Sequence, residues 1–221
     1  MPAGRRTARD ERRRRLGQNF LRPDAADRLI ADADVRSGEL VLEPGAGAGA
    51  LTLAMARRGA DVLAVELDTE WSEQLEERAS AITTGRVRVV RGDFLSVRLP
   101  TQPYRVVGCP PFGQTTALLR RLLDDPGGHL DRVDLIIQWE VAKKRATSPP
   151  TTLLSTRWAP WWEFRLGRRV PASQFRPVPR VEAGVLIILK RDPPVLPETM
   201  ARPYAAFVES HWPFDTRRGG P

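Results

Sequence analysis

A chain of 221 residues, 41% hydrophobic and without a long apolar run, suits one soluble domain with at most a small appendage and argues against a membrane protein. Its formal net charge of +8 points to a phosphate-rich partner. The single cysteine, Cys109, cannot close an internal disulfide, and the charged N-terminus lacks the apolar core of a secretory signal, so the expected compartment is the cytoplasm.

From the N-terminus, the first feature is a basic arm. Residues 1–15 hold Arg5, Arg6, Arg9, Arg12, Arg13, Arg14 and Arg15 against Asp10 and Glu11, a net +5 of the chain's +8. A guanidinium fork donates two hydrogen bonds to a phosphate at once, so the arm is expected to be disordered alone and to order on RNA. The competing reading is a solvated tail that keeps the chain soluble. Apolar runs then place strands at 40–43, 61–67, 87–91, 104–108, 133–139, 163–170 and 185–190, alternating with helical segments at 24–33, 50–58, 70–82, 115–123 and 141–145. That alternation predicts an α/β protein with a mostly parallel sheet and helices on both faces.

Between the first strand and the second helix lies Leu42-Glu43-Pro44-Gly45-Ala46-Gly47-Ala48-Gly49, and Glu66 closes the next apolar run. A glycine turn after a strand lets backbone approach a ligand, and an acid at the end of the second strand is placed to accept ribose hydroxyls. Gly45-x-Gly47-x-x-Ala50 also fits the dinucleotide pattern, so NAD and S-adenosylmethionine both stay open at this point. His129 and His211 are far apart and Cys109 has no partner at ligand spacing, so no metal site is expected.

Three further stretches carry a resemblance. Leu16-Gly17-Gln18-Asn19-Phe20-Leu21 precedes the first strand, Gly92-Asp93-Phe94-Leu95 follows the third, and Phe175-Arg176-Pro177-Val178-Pro179-Arg180-Val181 precedes the last. In this order and spacing the chain resembles the rRNA adenine-N6 methyltransferases, specifically the Erm group, which methylates 23S rRNA and confers macrolide, lincosamide and streptogramin B resistance. The likeness spans 16–191. It includes Gln138-Trp139-Glu140-Val141-Ala142-Lys143-Lys144 and Trp162-Glu163-Phe164, which look more like the Erm group than the related small-subunit rRNA dimethyltransferases.

The resemblance implies a Rossmann-like, S-adenosylmethionine-dependent methyltransferase sheet of seven strands, the last two antiparallel and the seventh inserted beside the fifth. It implies that Asn19 and Leu21 close over the methionine end of the cofactor and that Gly45 admits it without a side-chain clash. Glu66 would hold the ribose diol and Asp93 the adenine amino group, although aspartate is also common as a turn residue at a strand end. The methyl acceptor would be an adenine in 23S rRNA, protein-free or in an assembling large subunit, modified by a monomeric enzyme.

One departure stands out. The family motif after the fourth strand is Asn-Ile/Leu-Pro-Tyr/Phe, whereas this chain reads Cys109-Pro110-Pro111-Phe112. In the family picture the asparagine oxygen and a backbone carbonyl, here that of Pro110, accept hydrogen bonds from the target amine, and Phe112 stacks on the flipped base. Sulfur is a weak acceptor, so Cys109 marks an attenuated or inactive enzyme, a variant in which the Pro110 carbonyl and stacking suffice, or a substitution made at the site. Position 109 is nevertheless expected to border the cofactor.

RNA contacts are expected from the arm, from Lys143, Lys144 and Arg145, and from Arg168 and Arg169. Trp158, Trp161 and Trp162 read as packing ahead of a strand rather than as base-stacking platforms. Thirty residues follow Arg191, too few for the helical domain usual in this family; 204–212 is expected to form a short helix with Tyr204, Phe207 and Val208 inward. The expected division is an arm at 1–15, a methyltransferase domain at 16–192, and a helical remnant with a tail at 193–221. Two alternatives within RNA chemistry are a 16S rRNA adenine dimethyltransferase and a non-catalytic rRNA-binding relative. A dinucleotide oxidoreductase would leave Asn19, Asp93, Phe112 and Phe175 unexplained.

Overall fold

The computed structural model describes residues 19–212; the arginine arm and the last residues of the chain lie outside the described residues. The chain enters through β1 (Phe20–Leu21) and α1 (Pro23–Ala33), then alternates β2 (Leu40–Pro44), α2 (Ala50–Arg57), β3 (Asp61–Glu66), α3 (Thr69–Ala79) and β4 (Arg86–Arg91). It continues through β5 (Tyr104–Gly108), α4 (Thr115–Leu123), β6 (Leu130–Gln138), α5 (Trp139–Arg145) and α6 (Leu153–Trp158). The last elements are β7 (Trp162–Val170), β8 (Phe175–Arg176), β9 (Ala183–Lys190) and α7 (Ala201–His211).

Seven strands form one sheet in the order β4-β3-β2-β5-β6-β9-β7. The first five are parallel, and β9 runs antiparallel between β6 and β7, the arrangement expected of the final pair. Alternate residues of each strand supply the two cores, as the twofold strand repeat requires. Val41, Val62, Ala64 and Val107 pack with α1, α2 and Leu75 of α3. Leu42, Val65, Val106 and Leu135 pack with α4, Ala142 of α5 and α6. Because both faces are covered, the central strands read as continuous apolar runs, and β5 is buried at every residue.

Trp158, Trp161 and Trp162 lie buried in the second core. The Trp158 indole donates to Asp124 Oδ1 at 2.7 Å and that of Trp162 to the Leu123 carbonyl at 3.2 Å, so they pack as expected. At the end of the sheet where β5 begins, buried Arg105 meets Asp134 at 2.7 Å, Glu39 at 3.2 Å and the Ala33 carbonyl at 2.8 Å.

Several boundaries differ from the sequence expectation. β6 begins at Leu130 rather than 133, because Asp131 and Arg132 interrupt the apolar run while Arg132 pairs with Asp134 at 2.8 Å. Trp139 opens α5 instead of closing the strand. α3 stops at Ala79, since Ile82-Thr83-Thr84 and Gly85 disfavour another turn. The α7 helix turns Val208 inward and sets Tyr204 edge-on to Trp161, with ring centroids 5.8 Å apart. Phe207, expected inward, is 57% exposed and stacks on His211. At 100° per residue it falls off the face shared by Ala201, Tyr204, Ala205 and Val208.

Candidate active site

In open α/β sheets ligands bind beyond the carboxyl ends of the strands, where the strand order reverses. Here the chain winds outward from β2 through β3 and β4, then returns to β5 on the other side of β2. A cleft of about 660 Å³ opens at that place, of the size that takes a small-molecule ligand. Its lining draws on Asn19 to Leu21, the glycine turn after β2, Glu66 and Leu67, Gly92 to Leu95, and Cys109 to Gln114.

The glycine turn is left-handed at Gly45 (φ +69°), Gly47 (φ +54°) and Gly49 (φ +80°), conformations that L side chains adopt only with strain. At Gly45 a Cβ would stand 3.6 Å from Pro111 and 3.8 Å from Pro110, between the turn and the segment after β5. At Gly47 it would come within 2.8 Å of the Phe20 ring. The Gly47 amide donates to Glu66 Oε2 at 2.7 Å, and the Asp68 amide to Glu66 Oε1 at 2.8 Å. Each carboxylate oxygen keeps a lone pair for a further donor. Burial pushes the Glu66 carboxyl above its ordinary value.

Asp93 follows β4 and accepts from the Leu95 amide at 2.9 Å, so it shapes its turn while also lining the cleft. Asn19 and Leu21 reach the site through a two-stranded ribbon that neither periodicity nor composition announces. Phe20 pairs with Arg176 and Leu21 with Phe175, tying the leading segment to the motif before β9. Phe175 is fully buried, and the Phe20 ring lies 4.6 Å from that of Trp71 on α3.

Cys109, Pro110, Pro111 and Phe112 continue from the end of β5 into a 3₁₀ turn at Phe112–Gln114. The turn is fixed by Gln114 N–H donating to the Pro111 carbonyl at 2.8 Å and by Thr115 Oγ1 donating to the Phe112 carbonyl at 3.0 Å. Burial, with Glu43 close by, pushes the Cys109 thiol up to about 12, which keeps it protonated and unsuited to nucleophilic work.

Glu43 is a site residue that the motif reading left without a role. It is 1% exposed, lines the cleft and accepts from Thr52 Oγ1 at 2.5 Å. Burial, reinforced by Glu66, raises its carboxyl to about 8 despite the Thr52 bond. The available signal was a carboxylate inside a strand otherwise built of leucine and valine.

The side chains lining the cleft are acidic rather than basic. Among the described residues lining the cleft, the ionisable carboxyls are Glu43, Glu66 and Asp93, and no arginine, lysine or histidine joins them. Carboxyls in that position suit the sulfonium and ammonium cation of S-adenosylmethionine. The residues therefore fit S-adenosylmethionine. Among the described residues no group of three His, Cys, Asp or Glu side chains is placed to hold a metal ion.

The basic candidates divide. Lys144 is exposed, and Lys143 is exposed with an ion pair to Glu140 at 3.1 Å. Arg145 is half-buried, donates to Thr152 Oγ1 at 2.9 Å and lies over the Trp158 ring at 5.9 Å; burial lowers its affinity for a proton. Arg168 pairs with Asp32 at 2.8 Å, and Arg169 pairs with Glu182 while stacking on Trp139. The seven arm arginines, Arg5 to Arg15, lie outside the described residues.

The doubly wound seven-stranded sheet with its cleft at the reversal point is the architecture of a solved methyltransferase, and the cleft lining fits S-adenosylmethionine. The family model for ribosomal RNA adenine dimethylase matches residues 9–214, and the chain belongs to that family. It is 40% identical over 204 residues to an rRNA adenine N-6-methyltransferase of Corynebacterium diphtheriae, covering 92% of this chain and 78% of that one. It is 39% identical over 198 residues to the mycinamicin-resistance protein MyrB of Micromonospora griseorubida, covering 89% of this chain. The chain spans 61% of MyrB's own length. The crystal structure of the 23S rRNA methyltransferase ErmE matches with a TM-score of 0.76 and 30% identity, covering 86% of this chain and 78% of that one.

Proposed function

We propose that the protein transfers methyl from S-adenosylmethionine to N6 of an adenine in 23S rRNA and so gives resistance to macrolide, lincosamide and streptogramin B antibiotics. The observation that carries this reading is one continuous cleft, in which the carboxylate-lined cofactor floor meets the acceptor segment Cys109 to Phe112. The relatives named for 23S methylation and for mycinamicin resistance support the same substrate over 16S rRNA.

When bound, the cofactor supplies a sulfonium methyl, whose carbon passes to nitrogen while the C–S electron pair returns to sulfur. The chain's work is binding and orientation. Asn19 and Leu21 cover the methionine end, Gly45 gives backbone access, Glu66 takes the ribose hydroxyls and Asp93 the adenine amine of the cofactor. Cys109 borders cofactor and acceptor, the Pro110 carbonyl accepts one hydrogen of the target amine, and Phe112 stacks on the flipped base.

Arg5, Arg6, Arg9, Arg12, Arg13, Arg14 and Arg15 grip RNA phosphates together with exposed Lys143 and Lys144, while Arg145 acts through the surface it shapes with Thr152 and Trp158. The working division is an arm at 1–15, a catalytic domain at 16–192 and a helical remnant at 193–221, active as a monomer on protein-free or assembling 23S rRNA in the cytoplasm. No helix among the described residues is long and apolar enough to cross a membrane. Expression in a macrolide-sensitive bacterium is expected to raise tolerance of all three antibiotic classes together. Unchanged tolerance, with soluble protein present, would contradict the proposed biological role.

A further inference from the structure

The target amine is a poor nucleophile because its lone pair is delocalised into the ring. Two hydrogen-bond acceptors hold it so that the lone pair faces the methyl. The Pro110 carbonyl is one acceptor. Position 109 offers no second, because sulfur accepts weakly and this thiol stays protonated.

Among the described residues lining the cleft, two carry side-chain amides, Asn19 and Gln114. Asn19 stands beside β1 and is already engaged within the chain. Gln114 stands on the same 3₁₀ turn as Phe112, two residues beyond the stacking ring. It is exposed, and its amide makes no hydrogen bond among the described residues, whereas the backbone beneath is fixed by the Pro111 and Phe112 carbonyls. Gly113, between the ring and the amide, faces open space: a Cβ there would meet nothing within 4 Å.

We infer that Gln114 supplies the acceptor that Cys109 cannot, so that its Oε1 and the Pro110 carbonyl hold the two hydrogens of the target amine. This rests on the methyl-transfer reading above. As N6 bonds to the methyl carbon the C–S pair goes to sulfur, and N6 then gives one proton to water; Gln114 accepts a hydrogen bond and takes no proton.

The test is a double-mutant cycle on 23S rRNA with the full chain, Gln114→Leu, Cys109→Asn and the double variant, scored by single-turnover methyl transfer, cofactor Kd and thermal midpoint. Leucine matches glutamine in size and lacks the oxygen. In the parent background Gln114→Leu is expected to lower the rate about 10- to 100-fold at unchanged Kd and midpoint. In the Cys109→Asn background the same change is expected to cost less than about threefold, since the two acceptors substitute for each other. Equal losses in both backgrounds, no loss in the parent background, or transfer only by the two forms carrying Cys109→Asn would overturn the inference. Transfer by none of the four would overturn the methyl-transfer reading, and the inference with it.

Discussion

Glu43 is buried with one hydroxyl donor and no cation beside it in the cleft lining, which makes its charge depend on what the cleft holds. Its folded-state value of about 8 lies above the ordinary carboxylate value of 4.5, so the folded protein holds this proton more tightly than the unfolded chain does. The corresponding stability is fully present below 4.5 and is lost as pH rises toward 8, a contribution on the order of a few kcal/mol. Glu43→Gln, which keeps an acceptor for Thr52, is expected to flatten that part of the pH dependence of unfolding. A cationic cofactor favours the ionised carboxylate, so its affinity should tighten as pH rises through about 8 in the parent chain and lose that dependence in Glu43→Gln. Titration calorimetry at several pH values separates these outcomes; identical profiles would contradict the assignment. Glu66 was legible because it closes an apolar run beside a turn and Asp93 through the family likeness, and both line the cleft. Glu43 escaped because a buried acid inside a strand violates the pattern by which strands are found, as functional residues often do.

Elements whose order depends on local apolar patterning were readable, and β2, β3 and β5 lie within a residue of their expected spans. The β1–β8 ribbon was not, because two residues pairing across more than 150 positions leave no periodicity, although its halves lie in the segments 16–21 and 175–181 that carry the family likeness. Its consequence is functional: Phe20 rests against Trp71 and over Gly47, so the ribbon holds the glycine turn. Phe20→Ala is expected to weaken cofactor binding about tenfold by freeing that turn, while the sheet stays folded. Unchanged affinity by calorimetry would show that the turn holds itself. Phe207 was misplaced for a different reason: on a short helix packed by one stripe, a three-residue step from Tyr204 can leave the buried face.

Across the whole molecule, parallel strand order is set by contacts far apart in sequence, so the β4-β3-β2-β5-β6-β9-β7 order was legible through the family likeness rather than through composition. Charge distribution, by contrast, was readable at once: five of the eight net positive charges belong to the first fifteen residues. Removing residues 1–15 is expected to weaken RNA binding and to reduce the slope of log affinity against log salt by roughly 3–5, at unchanged cofactor affinity. An unchanged slope would assign the arm to solubility alone.

Transfer of labelled methyl from S-adenosylmethionine to protein-free 23S and 16S rRNA, with the modified nucleoside mapped, separates 23S adenine methylation from every alternative reaction. N6-methylated adenine is expected at a 23S position. Label confined to 16S rRNA, label on another base, or none with either cysteine or asparagine at position 109 would contradict it.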